Sequence, residues 1–189
     1  MKVYQIKVTL NEIEPSIWRR FLVTDNTTLP ALHKILQTVM GWTNSHLHHF
    51  VVDGEVYSEP DEENMIEYID YRKTRIKDVM DSINDEMTYE YDFGDGWEHT
   101  LVLEKVIDPG MKCPVCLEGE RNCPPEDCGG SYGFMEMLEI LKNPDHEEYE
   151  TWKTWVGEEY DSEQFNINMV NRLLQRKNYG LLPWGKTNF

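Results

Sequence analysis

The sequence predicts an α+β fold: a mixed sheet of about five strands built on a ββαββ, β-grasp-like core, followed by a C-terminal cluster of three helices. Three patterns lead there. Residues 2–10 alternate with an apolar set at every second position, apolar residues recur at helical spacing over 29–39, and the final third is punctuated by Pro and Gly between helical rather than strand patterns.

In the first strand, Tyr4, Ile6, Val8 and Leu10 form one apolar face. Residues 11–15 break it at a proline, and 17–23 return as a second strand. Asp25, Asn26, Thr27 and Thr28 offer N-cap chemistry ahead of Pro30, and Leu29, Leu32, Ile35, Leu36 and Val39 make a helix that Gly41 stops. Residues 46–52 have strand composition, and Asp53-Gly54 turns the chain into 55–57. Residues 58–70 are acidic and weakly periodic and read as a loop, with a short ordered segment near 76–80. Residues 87–93 and 97–107 then form a second hairpin around Gly94-Asp95-Gly96. The segment 109–130 holds every cysteine and is rich in Pro and Gly, so it reads as irregular. Ser131 caps a helix bearing Phe134, Leu138 and Leu141, Asp145 and Glu148 form a capping box ahead of Tyr149, Trp152 and Trp155, and Asn166 opens a last helix with Val170 and Leu173. The chain is thus one domain over 1–189: mainly sheet plus one helix in 1–108, the Cys-rich loop in 109–130 and a helical part in 131–180.

Composition narrows the function classes. With 40% hydrophobic and 12% aromatic residues in a chain of 189, there is enough apolar surface to bury a core. The net charge is −17 and the pI near 4.6, so phosphate backbones meet the wrong sign of charge and direct nucleic-acid binding is not expected. Residues 55–95 hold 14 acidic against 4 basic side chains and residues 143–163 hold 8 against 1, which together carry the whole excess. Such runs are solvated faces or docking surfaces for basic partners. No apolar run has the length of a signal peptide or a membrane span, so a soluble cytoplasmic protein without membrane contact is expected.

Two sets of residues carry candidate chemistry. Cys113, Cys116, Cys123 and Cys128 are spaced Cys-x2-Cys, six residues, Cys, four residues, Cys. Four thiolates suit a closed structural zinc site, while disulfides, free thiols and a redox Cys-x-x-Cys are the alternatives. If 46–52 is a strand, His46 and His48 lie one pleat repeat apart on one face, and Asp92, Asp95 and His99 of the second hairpin could join them as a mixed His/carboxylate metal site. Equally, these residues could form a hydrogen-bonded polar network with turn-forming aspartates. Phosphate-loop, dinucleotide, G-x-S-x-G and H-E-x-x-H patterns are absent.

Read together, YQIKVTLNEIEPSIWRRFLV, GWTNSHLHHFVV, YEYDFGDGWEHTLVLE, CLEGERNCPPEDCGGSYGF and WVGEEYDSEQFNINMVNRLL resemble the plasmid pRiA4b ORF-3-like family. That family is largely uncharacterised, and the resemblance implies an association with insertion elements, whose passenger proteins sometimes bear a resolvase label. Among the matching positions, Arg19, His46, His48, Asp92, Asp95, His99, Glu126 and Asp127 are polar and could form a network or a site; Cys113 falls outside the pattern. A resolvase would need a serine set among arginines and a DNA-binding helix, and neither is evident. The function expected is therefore a non-enzymatic interaction or regulatory module linked to mobile elements, acting on an unidentified protein partner. The alternatives are a metal-dependent enzyme using the His/Asp set and an accessory protein in DNA transposition or recombination.

Overall fold

The computed structural model describes residues 1–60, 68–108, 110–157 and 159–181. The chain runs β1 (Val3–Leu10), β2 (Ile17–Thr24), α1 (Leu29–Met40), β3 (His48–Val52), β4 (Glu55–Ser58), β5 (Ile69–Asp70), α2 (Ile76–Val79), β6 (Glu86–Tyr91), β7 (Trp97–Ile107), β8 (Val115–Glu120), α3 (Gly130–Leu141), α4 (Tyr149–Val156) and α5 (Ile167–Leu174). The sheet order is β5-β4-β3-β6-β7-β1-β2-β8, antiparallel throughout except for the β4–β5 pair.

This corrects the expected five-stranded ββαββ core, because the described residues form an eight-stranded sheet with five helices. The β1–β2 hairpin does not sit beside the β3–β4 hairpin; β6 and β7 are inserted between them. Strand β8 arises inside the segment that Pro and Gly had made irregular. Pro114 only precedes it, where no ladder bond is required, and Gly119 is where a Cβ would come within 2.7 Å of the Arg19 and Phe165 side chains. Part of the acidic 58–70 stretch lies outside the described residues, and its last two residues, Ile69 and Asp70, pair with β4 as β5.

One face of the sheet is buried. Tyr4, Ile6, Val8, Leu10, Ile17, Phe21, Tyr89, Tyr91, Trp97, Leu101 and Leu103 point into a core covered by α1, whose Leu29, Leu32, Ile35, Leu36 and Val39 are fully buried. Gly41 closes α1 in a left-handed conformation, its N–H bonded to Gln37 O. The helix start does not use the expected cap: the Thr28 side chain makes no capping bond, and Leu29 N donates to Thr74 O instead. Asn166 does cap α5, accepting from Met169 N at 3.0 Å. Helix α5 also guards the sheet's edge, since Asn171 bonds both the N–H and the C=O of Cys116 on β8. No helix among the described residues is long and apolar enough to cross a membrane.

The Arg-Arg pair of β2 divides between the two faces, as alternation requires. Arg20 lies on the open face, where Glu104 receives it through two bonds of 2.6 and 2.9 Å and Glu118 takes a third. Arg19 is 1% exposed and forms no ion pair among the described residues. It donates Nε to Val39 O at 2.9 Å, Nη1 to Trp18 O and Glu120 O at 2.8 and 2.6 Å, and Nη2 to Arg121 O at 2.8 Å, with the Phe165 ring 4.0 Å from its guanidinium carbon. Burial pulls its pKa down to about 10, so it stays cationic at neutral pH.

Arg19→Met should lower stability by about 3 kcal/mol or more, because it strands four carbonyls drawn from three segments of the chain. Arg20→Met, removing an ion pair at the surface, should cost about 1 kcal/mol or less. Urea unfolding of both variants checks this; equal losses would show that Arg19 is not the internal tie.

Candidate functional site

Three connections converge beyond the C-terminal end of α1: residues 41–47, the β6–β7 turn at 92–96 and the loop 121–129. Gly41 turns the chain so that Trp42 points inward, its ring 4.9 Å from Tyr91 and edge-on to His99 at 5.1 Å. Its Nε1 donates to Pro124 O at 3.1 Å, which seats the loop on the aromatic layer. Glu126 then fastens the loop to the 41–47 connection. Its Oε1 accepts from Thr43 N at 3.0 Å and from the Tyr91 hydroxyl at 2.6 Å, and its Oε2 accepts from the Thr43 hydroxyl. Burial first, and the Glu126 carboxylate second, push the Tyr91 hydroxyl well above its ordinary pKa.

The turn is attached as firmly. Asp95 Oδ2 accepts from Gly129 N at 3.2 Å, and a Cβ on Gly130 would stand 2.4 Å from Asp95 O, so only glycine fits the approach. Asp92 Oδ1 accepts from Gly94 N at 3.1 Å, leaving Oδ2 directed at His46. The imidazole of His46 lies between two carboxylates: Nδ1 is 3.5 Å from Asp92 Oδ2, and Nε2 is 3.5 Å from Asp127 Oδ1. Among the described residues, His46, Asp92 and Asp127 are the one group of three whose ligating atoms all lie within 4.8 Å of one another. Asp92 is nearly buried at 9% side-chain exposure, His46 is at 26% and Asp127 at 72%, so the cluster is walled on one side and open on the other. Asn44, Asp92 and Asp127 all hold left-handed φ near +60°, a conformation that Asn and Asp tolerate best among residues with a Cβ.

Of the expected His/Asp set, His46 and Asp92 meet, and Asp127 rather than Asp95 completes the group. His48 does not join them, because β3 begins at His48 and His46 precedes it, so the two are not on one pleated face. Instead His48 faces the core, stacked on His33 with ring centroids 3.4 Å apart and planes 2° from parallel, and its Nε2 shares a hydrogen bond of 2.9 Å with the Tyr71 hydroxyl. His99 is fully buried, with Nδ1 3.0 Å from Tyr89 O and Nε2 without a hydrogen-bond partner among the described residues. The four cysteines are all free thiols. They form no cluster comparable to that of His46: Cys116 lies on β8 opposite Phe21, while Cys123 and Cys128 are buried in the loop. Burial pushes the Cys116 thiol up to about 11 and the Cys128 thiol up to about 12.

A buried polar network under the site escaped the sequence reading. His33 Nδ1 is 2.8 Å from the Tyr89 hydroxyl and its Nε2 is 2.6 Å from Asn44 Oδ1; Gln37 donates to the same hydroxyl and accepts from Asn44 N. The legible signal was a His and a Gln four residues apart on the apolar stripe of α1. This network sets the left-handed Asn44 and thereby the path to His46.

Comparisons with known proteins follow the same segments. The family model described as plasmid pRiA4b ORF-3-like protein matches residues 2–169. The uncharacterized protein y4hQ of Sinorhizobium fredii (strain NBRC 101917 / NGR234) is 40% identical over 173 residues, covering 90% of this chain and 89% of that one. A crystal structure of a protein of unknown function, MM3350 from Methanosarcina mazei Go1, superposes with a TM-score of 0.80 at 37% identity, covering 88% of this chain and 96% of that one.

The histidines make stability fall with acid. Burial lowers His33 and His99 to about 4 and His48 well below its ordinary value, so between pH 6.5 and 4 the unfolded chain binds protons that the native chain refuses. Their stabilising contribution is complete above pH 6.5 and is lost as pH falls. From pH 7.5 to 5.0 the drop should be about 2 kcal/mol for each of His33 and His99, with His48 adding in the same direction. His33→Gln should flatten it by that share in urea unfolding; a midpoint unchanged between these pH values would contradict the assignment.

Proposed function

We propose that this chain, which belongs to the plasmid pRiA4b ORF-3-like family, is a non-enzymatic interaction module whose working centre is a divalent metal ion held by His46, Asp92 and Asp127. The observation that carries this reading is the convergence of one imidazole and two carboxylates from three separate connections within 4.8 Å. Isolated like-charged carboxylates repel, and a cation placed between Asp92 and Asp127 turns that repulsion into attraction. One nitrogen and two oxygen donors suit a borderline or hard first-row ion such as Mn²⁺ or Zn²⁺.

On the side where Asp127 is 72% exposed, a bound ion would be reachable by water or by a carboxylate or imidazole offered by a partner. Binding is favoured over catalysis because the neighbouring carboxylate, Glu126, is engaged by Thr43 and Tyr91 and is not free to act as a base. A bound ion would also cross-link the 41–47 connection, the 92–96 turn and the 121–129 loop, stabilising the fold by about 2.7 kcal/mol at a hundredfold excess over its dissociation constant.

Calorimetric titration of chelator-treated protein with Mn²⁺ and with Zn²⁺ should give one equivalent for at least one of them. His46→Ala and Asp92→Asn should each weaken binding at least tenfold, about 1.4 kcal/mol; Asn tolerates the left-handed backbone at position 92, so the fold is kept. Absence of binding by either ion, or unchanged binding in both variants, would refute the reading.

A further inference from the structure

A second concavity, which shares no ligating residue with the His46 cluster, lies between α3, the chain at 160–163 and the β1–β2 turn, with a volume of about 340 Å³. Met135, Leu138 and Leu141 of α3 and Tyr160 line it together with Glu14 and Asp161. Two cations also line it, but both are engaged: Arg121 donates Nε to Glu163 at 2.9 Å and Lys142 pairs with Glu139 at 2.7 Å. Among the described residues neither Glu14 nor Asp161 has an ion-pair partner. The concavity therefore joins apolar side chains to two carboxylates that have no ion-pair partner among the described residues.

The surrounding surface has the same character. Helix α4 has no buried residue although it carries Tyr149, Trp152 and Trp155, and Trp155 is 47% exposed with its ring edge-on to Trp152 at 5.3 Å. On α3, Tyr132 and Met135 are also exposed. Within 143–163, which includes all of α4, eight acidic side chains meet one lysine. Exposed aromatic and Met side chains set among uncompensated carboxylates are complementary to one kind of partner, a segment with apolar anchors flanked by Lys or Arg. Anionic surfaces, including nucleic acid and acidic membranes, meet repulsion here.

We propose that the α3–α4 face docks a basic amphipathic segment of a partner protein, one apolar side chain entering the Met135–Leu138–Leu141 pocket while its cations meet Glu14, Asp161 and the acidic run. The pocket volume suits one or two large apolar side chains, at the small end of the roughly 300–1,000 Å³ of binding sites.

The test uses the full chain and a fluorescein-labelled synthetic peptide of Leu-Lys-Lys-Leu repeats, followed by anisotropy at about 150 mM salt, where the Debye length is about 8 Å. The peptide should bind saturably, and a Leu-Glu-Glu-Leu counterpart should not. Met135→Ser, and the pair Glu14→Gln with Asp161→Asn, should each weaken binding about tenfold. The pair Asp53→Asn with Glu55→Gln, an equal charge change on the β3–β4 hairpin, should weaken it less than twofold. All five positions are on the surface, so circular dichroism should be unchanged. Equal losses from the two charge pairs, indifference to Met135→Ser, absence of lysine-peptide binding, or equal binding of duplex DNA would overturn the proposal.

Discussion

The guanidinium of Arg19 is the tie on which the rest of the arrangement depends. Without an ion-pair partner among the described residues, its full positive charge is held by the partial charges of four backbone carbonyls. Those carbonyls belong to the last turn of α1, to β2 itself and to the end of β8, so one side chain sets the distance between helix, sheet and the loop that leaves the sheet. An apolar residue could fill the volume but could not satisfy the carbonyls, and in a low-dielectric interior their desolvation would count fully against the fold. Lysine would reach with a single point charge where a planar fork is required.

From that tie the candidate site follows by short steps. The loop beginning at Arg121 starts where Arg19 holds it; Trp42 receives Pro124, Glu126 bonds Thr43 and Tyr91, and Asp127 arrives opposite His46. Asp92 comes from the other side, on a turn whose carboxylate and backbone are occupied with Gly94 and Gly96. Each of the three connections would be a surface loop by itself. Their mutual bonds convert them into a rigid rim, and left-handed backbone at Asn44, Asp92 and Asp127 is retained because the surroundings determine it.

Much of this was legible and some was not, for identifiable reasons. Strands β1, β6 and β7 alternate because one face of the sheet is buried and the other carries Glu104 and Gln5, whereas β2 breaks the pattern with Arg19 on the buried face and Leu22 on the other. Helix α1 was legible from five apolar residues and a terminal glycine. Strand β8 was hidden because its glycine answers to Arg19 and Phe165, contacts with residues far along the chain that no local window contains. The strand order was hidden for a similar reason: hairpins announce themselves through their turns, whereas the insertion of β6–β7 between β1 and β3 is decided by which edges bury the most apolar surface.

By itself the sequence determined most of the sheet's strands, helix α1 with its terminal glycine, and His46 and Asp92 as candidate ligands, but it grouped these two with His48, Asp95 and His99 and did not join Asp127 to them. Only the tertiary structure decided which of these residues meet. His46 and His48 are two positions apart, yet the first stops short of β3 and stands between carboxylates while the second turns into the core against His33. The cysteines, close in sequence, are distributed by the strand that forms among them, Cys116 on β8 and Cys123 and Cys128 in the loop that follows. Spacing along a chain constrains contact only when the intervening backbone is regular, and in loops the partner is chosen by whatever element the loop is fastened to.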